Sequence, residues 1–146
     1  MEKLSRRTAR ENAFLAAFAA TFDDALPEDV IELLGEQGEY PVDGFGRALI
    51  LGYYDHSAEI DALIRDHLKG WTLERIPRVS LAVLRLALSE ILYGEEKLPG
   101  VAINEAVELT KKYGGEGDHQ FVNGLLGSVV RELGLPAEPE APAGGG

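Results

Sequence analysis

Lys3, Arg6, Arg7 and Arg10 recur at i, i+3, i+4 and i+7 in the segment KLSRRTARENAFLAAF. If that segment is helical, the spacing lays all four in one stripe about 100° wide. Their chemistry is that of anion recognition. The planar guanidinium offers paired N–H donors to phosphate oxygens and stacks on unpaired bases, so the stripe suits a single-stranded RNA. The setting strengthens this reading. Four of the 14 basic residues lie in the first ten positions against Glu2 alone, which makes the opening +3 in a 146-residue chain of net charge −11. The plain alternative is a solubilising terminus. It leaves a cost unexplained, because positive charge near a helix N-terminus opposes the macrodipole by about 0.3–1 kcal/mol per charge at low salt. Leu15, Phe18 and Phe22 fall on the adjoining arc, which predicts a helix held to the core by those three while the arginines face outward.

Other residue types with reactive potential lack the spacing their chemistry needs. His56, His67 and His119 have no metal-ligand pattern; on one continuous helix the first two stand about 16 Å apart. There is no G-x-S-x-G or phosphate-loop motif, and GGEGD lacks the lysine and hydroxyl of a phosphate loop. The carboxylate pairs Asp23 with Asp24 and Glu95 with Glu96 sit at expected helix ends or loops, where solvated surface charge accounts for them. The expectation is a protein without catalytic residues, metal or cofactor. Arg85 and Glu90 lie inside an otherwise apolar segment, so each predicts an internal salt bridge or carbonyl clamp. Asn104 and Glu105 read first as capping or interhelical hydrogen-bonding residues.

Hydrophobic spacing is helical nearly throughout, with no convincing period-two run, and the expected class is all-α. The first helix covers 5–22, with Ser5 or Thr8 as N-cap and Thr8 to Glu11 matching a capping box. PEDVIELLGEQGEYP gives a short helix ended by Gly35. Residues 43–68 give two helices broken near His56 and Ser57, with Ser57 as the cap of the second. RVSLAVLRLALSEILY, residues 78–93, is apolar on almost every side, as a helix at the centre of a bundle must be. Pro99 starts the next helix, and Lys111, Lys112 and Gly114 end it. Asp118 is placed to cap a last helix over 119–133. The domain therefore spans 1–134, and residues 135–146, LPAEPEAPAGGG, have nothing to bury and read as a disordered tail.

A hydrophobic fraction of 45% supports one core, and the lack of cysteine fits a reducing cytoplasm. No apolar run approaches the roughly 18 residues of a membrane span. The basic-then-apolar opening imitates a secretory signal, but Glu11 and Asn12 interrupt it, and it is read as part of the mature fold.

Four stretches, SRRTARENAFLAAF, LRLALSEILY, VAINEAVELTKKYG and FVNGLLGSVV, together resemble the NusB family of transcription antitermination factors in order and separation over residues 3–133. The resemblance implies two packed helical bundles of about seven helices. It also implies binding to single-stranded boxA RNA of ribosomal RNA transcripts together with NusE, a small-subunit ribosomal protein, and joining of the pair to the RNA polymerase elongation complex. Arg6, Arg7 and Arg10 match the family's arginine-rich motif, with Lys3 beside them. The loop before FVNG adds Lys112, His119 and Gln120 as weaker RNA-contact candidates. Ser80 and Leu81 occupy a partner-facing position where many members carry an acidic and then a basic residue, and Gly117 stands where some have an acid. Two other readings compete: an accessory domain like those preceding ribosomal RNA cytosine methyltransferases, and a structural homodimer with its arginine face occluded.

Overall fold

The computed structural model describes residues 4–22, 26, 28–32 and 40–135. Lys3, Asp23, Asp24, Gly35 and the tail from 136 onward lie outside the described residues. The described residues form α1 (Arg6–Ala20), α2 (Gly44–Asp55), α3 (Ser57–Asp66), α4 (Arg78–Tyr93), α5 (Pro99–Tyr113) and α6 (Asp118–Glu132), with a 3-10 turn at Leu73–Arg75. Residues 28–32 are also helical, and no strand occurs among the described residues.

The architecture follows from α4. Its sequence leaves almost no polar side to give to water, so it needs neighbours all round. α1, α2 and α3 pack on it in one bundle, and α5 and α6 pack on it in the other. Ten of its residues are buried, Arg78 to Tyr93 matching the range expected from the apolar run. Phe14 of α1, Ile50 of α2, Ile60 and Ile64 of α3, Leu84 and Leu88 of α4, and Leu126 of α6 are fully buried and join both bundles into one core.

Helix ends show how local chemistry and context share control. Ser5 caps α1, its hydroxyl accepting from the Thr8 amide at 3.1 Å. Ser57 does not cap α3. His56 accepts from Ile60 through its carbonyl while its own amide donates to Gly52 and Tyr53, so one residue ends α2 and starts α3, and Ser57 is already helical. Asp118 likewise begins α6 rather than preceding it. Gly117, at φ 85°, makes the turn, and the Asp118 carboxylate reaches back to the Gly115 amide at 2.8 Å. At the far end of α4, Tyr93 stacks on His56 with centroids 3.6 Å apart and donates to Glu59; that hydrogen bond, with burial behind it, pushes the phenol up to about 12.

Small residues set the distances between helices. A Cβ at Gly46 of α2 would meet the Ala9 carbonyl of α1 at 3.2 Å and the Ala13 methyl at 3.3 Å. One at Gly52 would meet the Ser89 hydroxyl of α4 at 2.6 Å, and that hydroxyl is already placed by donating to the Leu49 carbonyl at 2.8 Å. Gly52→Ala is therefore expected to destabilise the protein by about 1–3 kcal/mol, as overpacking does. In urea denaturation the double variant Gly52→Ala with Ser89→Ala should recover part of that loss.

Candidate nucleic-acid interface

The Ser5 cap fixes the first turn of α1, and the next turns present the arginines to three different surroundings. Arg6 lies exposed over the Phe45 ring of α2, 4.1 Å from its centroid, and donates through Nη2 to Glu96 at 3.2 Å. Arg7, the most exposed of the three, donates through Nε to both carboxylate oxygens of Glu105 on α5, at 3.2 and 3.1 Å. Arg10 points inward. Its Nε and Nη2 fork onto Glu90 of α4 at 2.9 and 2.7 Å, and both residues are buried.

The outward stripe expected from spacing is therefore divided: Arg6 and Arg7 reach solvent, and Arg10 does not. The face of α1 that meets the core consists of Ala9, Arg10, Asn12, Ala13, Phe14, Ala16 and Ala20. Leu15 and Phe18 are only partly buried, and Phe22 is exposed, so the expected anchoring arc is rotated. The reason is close packing. α2 approaches α1 at Gly46, where only small side chains fit between the backbones; Ala9 and Ala13 permit this, and the rings of Phe18 and Phe22 lie away from that contact. Burial of Arg10 opposes its charge, but the hydrogen bonds and charge of Glu90, with Glu105 and Glu96 beyond, outweigh burial and raise its pKa.

Glu11 continues the series one residue on, accepting from Lys112 at 2.5 Å and from the Tyr113 hydroxyl at 2.6 Å. These two hydrogen bonds, Lys112 first, hold the Glu11 carboxyl below its ordinary value against a smaller opposing effect of burial. Between α1 and α5 lies an open groove of about 370 Å³ whose charged walls include Arg7, Glu11, Glu105, Lys111 and Lys112. Its carboxylates hold its cations, Glu105 meeting Arg7, Glu108 meeting Lys111 and Glu11 meeting Lys112, and Arg7, Lys111 and Lys112 keep their exposure to solvent.

The remaining sequence-based candidates are spread more widely. His119 is half-buried and Gln120 exposed in the first turn of α6, beside the exposed ring of Phe121. Ser80, in the first turn of α4, is fully buried, and its hydroxyl has no hydrogen-bond partner among the described residues. Leu81 is half-buried and packs against the core. Arg85 forks onto Asp61 of α3 at 3.0 and 3.1 Å, so the two charged residues in the interior of the apolar helix, Arg85 and Glu90, have partners, though not each other. Sequence reasoning did not assign Glu96, Glu11 or Phe45 to the basic stripe. Their separations from it, such as 90 residues between Arg6 and Glu96, carry no local signal. Among the described residues no group of histidines and carboxylates could hold a metal ion, and no helix is long and apolar enough to cross a membrane.

The sequence model of the NusB family matches residues 7–131, from the second residue of α1 to the last but one of α6. The chain belongs to the NusB family. It is 39% identical to the transcription antitermination protein NusB of Bacillus velezensis over 132 residues, covering 89% of this chain and 98% of that protein. Among solved structures it is similar to T. maritima NusB, with a TM-score of 0.81 and 34% identity over 90% of this chain and 94% of that one. It is also similar to a chain of a crystal structure of antitermination factors NusB and NusE in complex with dsRNA, with a TM-score of 0.78 and 28% identity over 87% of this chain and 96% of that one.

The two classes of arginine make different predictions. Arg10→Ala leaves Glu90 buried without its partner and should cost about 3–5 kcal/mol in denaturant unfolding, whereas Arg7→Ala, at an exposed pair, should cost at most about 1 kcal/mol. The Glu11 cluster adds a pH dependence. Its folded pKa is lowered, so its contribution to stability is fully present above the ordinary 4.5 and is lost as pH falls through the lower folded value. Acid titration of unfolding free energy should therefore show a shallower decline in Glu11→Gln than in the wild type.

Proposed function

We propose that this chain is a non-enzymatic, RNA-binding antitermination factor that binds single-stranded boxA RNA of ribosomal RNA transcripts together with NusE. In this reading the pair then joins an elongating RNA polymerase and suppresses termination. The observation that carries the proposal is the row of exposed cations along α1 and α5, where Arg6, Arg7, Lys111 and Lys112, each held by a carboxylate, reach solvent in a chain of net charge −11. A chain so acidic repels polyanions at long range, so contact with RNA relies on exposed cationic groups such as these. Membership of the NusB family, and similarity to a structure in which NusB, NusE and RNA are together, support the same reading.

Within it, Arg6 and Arg7 meet phosphates. Arg10 belongs to the same motif, and its part is to bind the helix that carries the other two to α4. Lys3 precedes the stripe in sequence, and Lys112, His119 and Gln120 extend the contact surface toward α6. Leu81 is the residue of the Ser80 and Leu81 pair that reaches the surface, so it supplies the apolar contact to NusE, with Ser80 shaping the turn beneath it. Acidic surroundings weaken RNA binding by the isolated chain, and the partner adds contacts of its own.

Fluorescence anisotropy with boxA RNA and a scrambled control, with and without NusE, tests this. The wild type should prefer boxA and bind more tightly with NusE. The double variant Arg6→Ala with Arg7→Ala should lose affinity and flatten the plot of log affinity against log salt by about 1.4, since each phosphate contact to a single strand contributes about 0.7. Equal binding of both RNAs with an unchanged slope in the variant would overturn the proposal.

A further inference from the structure

We infer that Glu105 is a positioning residue for RNA binding: it holds the Arg7 guanidinium by its Nε edge so that the terminal fork faces outward, ready for phosphate. The inference rests on the RNA-binding reading and goes beyond it by dividing the work between the two helices that flank the groove.

The geometry separates Arg7 from its neighbours. A guanidinium has one N–H at Nε and four on its terminal nitrogens, and the fork that matches phosphate uses those nitrogens in pairs. Arg10 has committed Nε and Nη2 to Glu90 in a buried fork. Arg6 has committed Nη2 to Glu96, in an exposed surface pair. Arg7 differs from both. Glu105 takes only its Nε–H, shared between two oxygens at 3.2 and 3.1 Å, and among the described residues nothing accepts from Nη1 or Nη2. The Glu105 side chain is 14% exposed while that of Arg7 is 69% exposed, so the acid forms the floor and the cation the surface.

Glu105 is itself firmly placed. It lies in the middle of α5, between the buried residues Ala102 and Ala106 that pack that helix on the core. The pair spans two helices, so α5 fixes the direction of a side chain that α1 alone would leave free to sample its rotamers. Ordering a free arginine on binding costs affinity, and a side chain already held in place avoids most of that cost. The opposite role is also chemically conceivable, in which Glu105 masks Arg7 and competes with phosphate. The terminal nitrogens, without an acceptor among the described residues on a side chain that is largely exposed, argue for positioning, because the acid and a phosphate would occupy different edges of one guanidinium.

Three variants, Glu105→Ala, Glu105→Gln and Arg7→Ala, together with the double variant Arg7→Ala with Glu105→Ala, decide between these roles. Affinity for a fluorescent single-stranded boxA RNA is measured by anisotropy in the presence of NusE, and the Arg7 Nε–H resonance is followed by NMR in the free protein. Positioning predicts that Glu105→Ala weakens binding about two- to tenfold and loses the protected Nε–H signal. Glu105→Gln keeps a side-chain oxygen for Nε–H and should bind at least as well as the wild type, with the signal retained. In the Arg7→Ala background Glu105→Ala should change nothing further, since its effect passes through Arg7. Tighter or unchanged binding in Glu105→Ala would overturn the inference. So would an equal loss with and without Arg7, which would mark a general packing role. If Arg7→Ala itself leaves RNA affinity and salt slope unchanged, the RNA-binding reading has failed at Arg7 and the inference falls with it.

Discussion

The buried pair of Arg10 and Glu90 constrains everything that the surface of this protein can present. Glu90 sits in the most apolar helix of the fold, where an unpaired carboxylate is strongly unfavourable, and Arg10 answers it with two parallel hydrogen bonds at 2.9 and 2.7 Å. Once that contact forms, the rotation of α1 about its own axis is settled. Arg6 and Arg7, one helical turn earlier, are then carried to the surface on the side facing Phe45, Glu96 and Glu105. A hydrophobic residue at position 90 can give a comparably stable core in many proteins, but it offers no directional contact to α1. The pair supplies direction as well as cohesion.

Close helix approach supplies the second constraint. Gly46 against Ala9 and Ala13, and Gly52 against Ser89, bring α2 near enough to α1 and α4 that only a small-residue face of α1 can enter. The larger rings of Phe18 and Phe22 are left at the margin, where Phe18 stacks on Phe14 at 5.7 Å and Phe22 lies beneath the guanidinium of Arg78 at 4.5 Å. Position on the helix therefore outranks size: Phe14 is fully buried, whereas Phe18, four residues on, is only partly so.

Electrostatic compensation follows from these two. A basic stripe at a helix N-terminus is opposed by the helix dipole and by self-repulsion, and the surrounding carboxylates offset both. Glu90, Glu96 and Glu105 come from the end of α4, the loop after it and α5 respectively, so the cations are held by the second bundle as well as the first. The groove between α1 and α5 is consequently mixed in charge, with its acids nearer the scaffold at Glu11 and Glu105 and its cations nearer the solvent at Arg7 and Lys112.

The all-α class, the span of α4, the break at His56 and the start of α5 at Pro99 were legible in the chain, because periodicity, glycine and proline act over a few residues. So was the family resemblance, and so was the need of Arg85 and Glu90 for partners, since an ionisable residue in an apolar run states that need by itself. Ser57 and Asp118 were misread as caps by one position because the preceding backbone, at His56 and Gly117, had already entered the turn. The sequence by itself determined which residues must be helical, which helix must be central and that a basic stripe stands at the N-terminus. Only the tertiary structure decided which of the three arginines is buried, which acid meets each and which face of α1 enters the core. Those choices depend on interhelical distance and on partners about 80 to 100 residues away, such as Glu90, Glu96 and Glu105, and no local pattern encodes them.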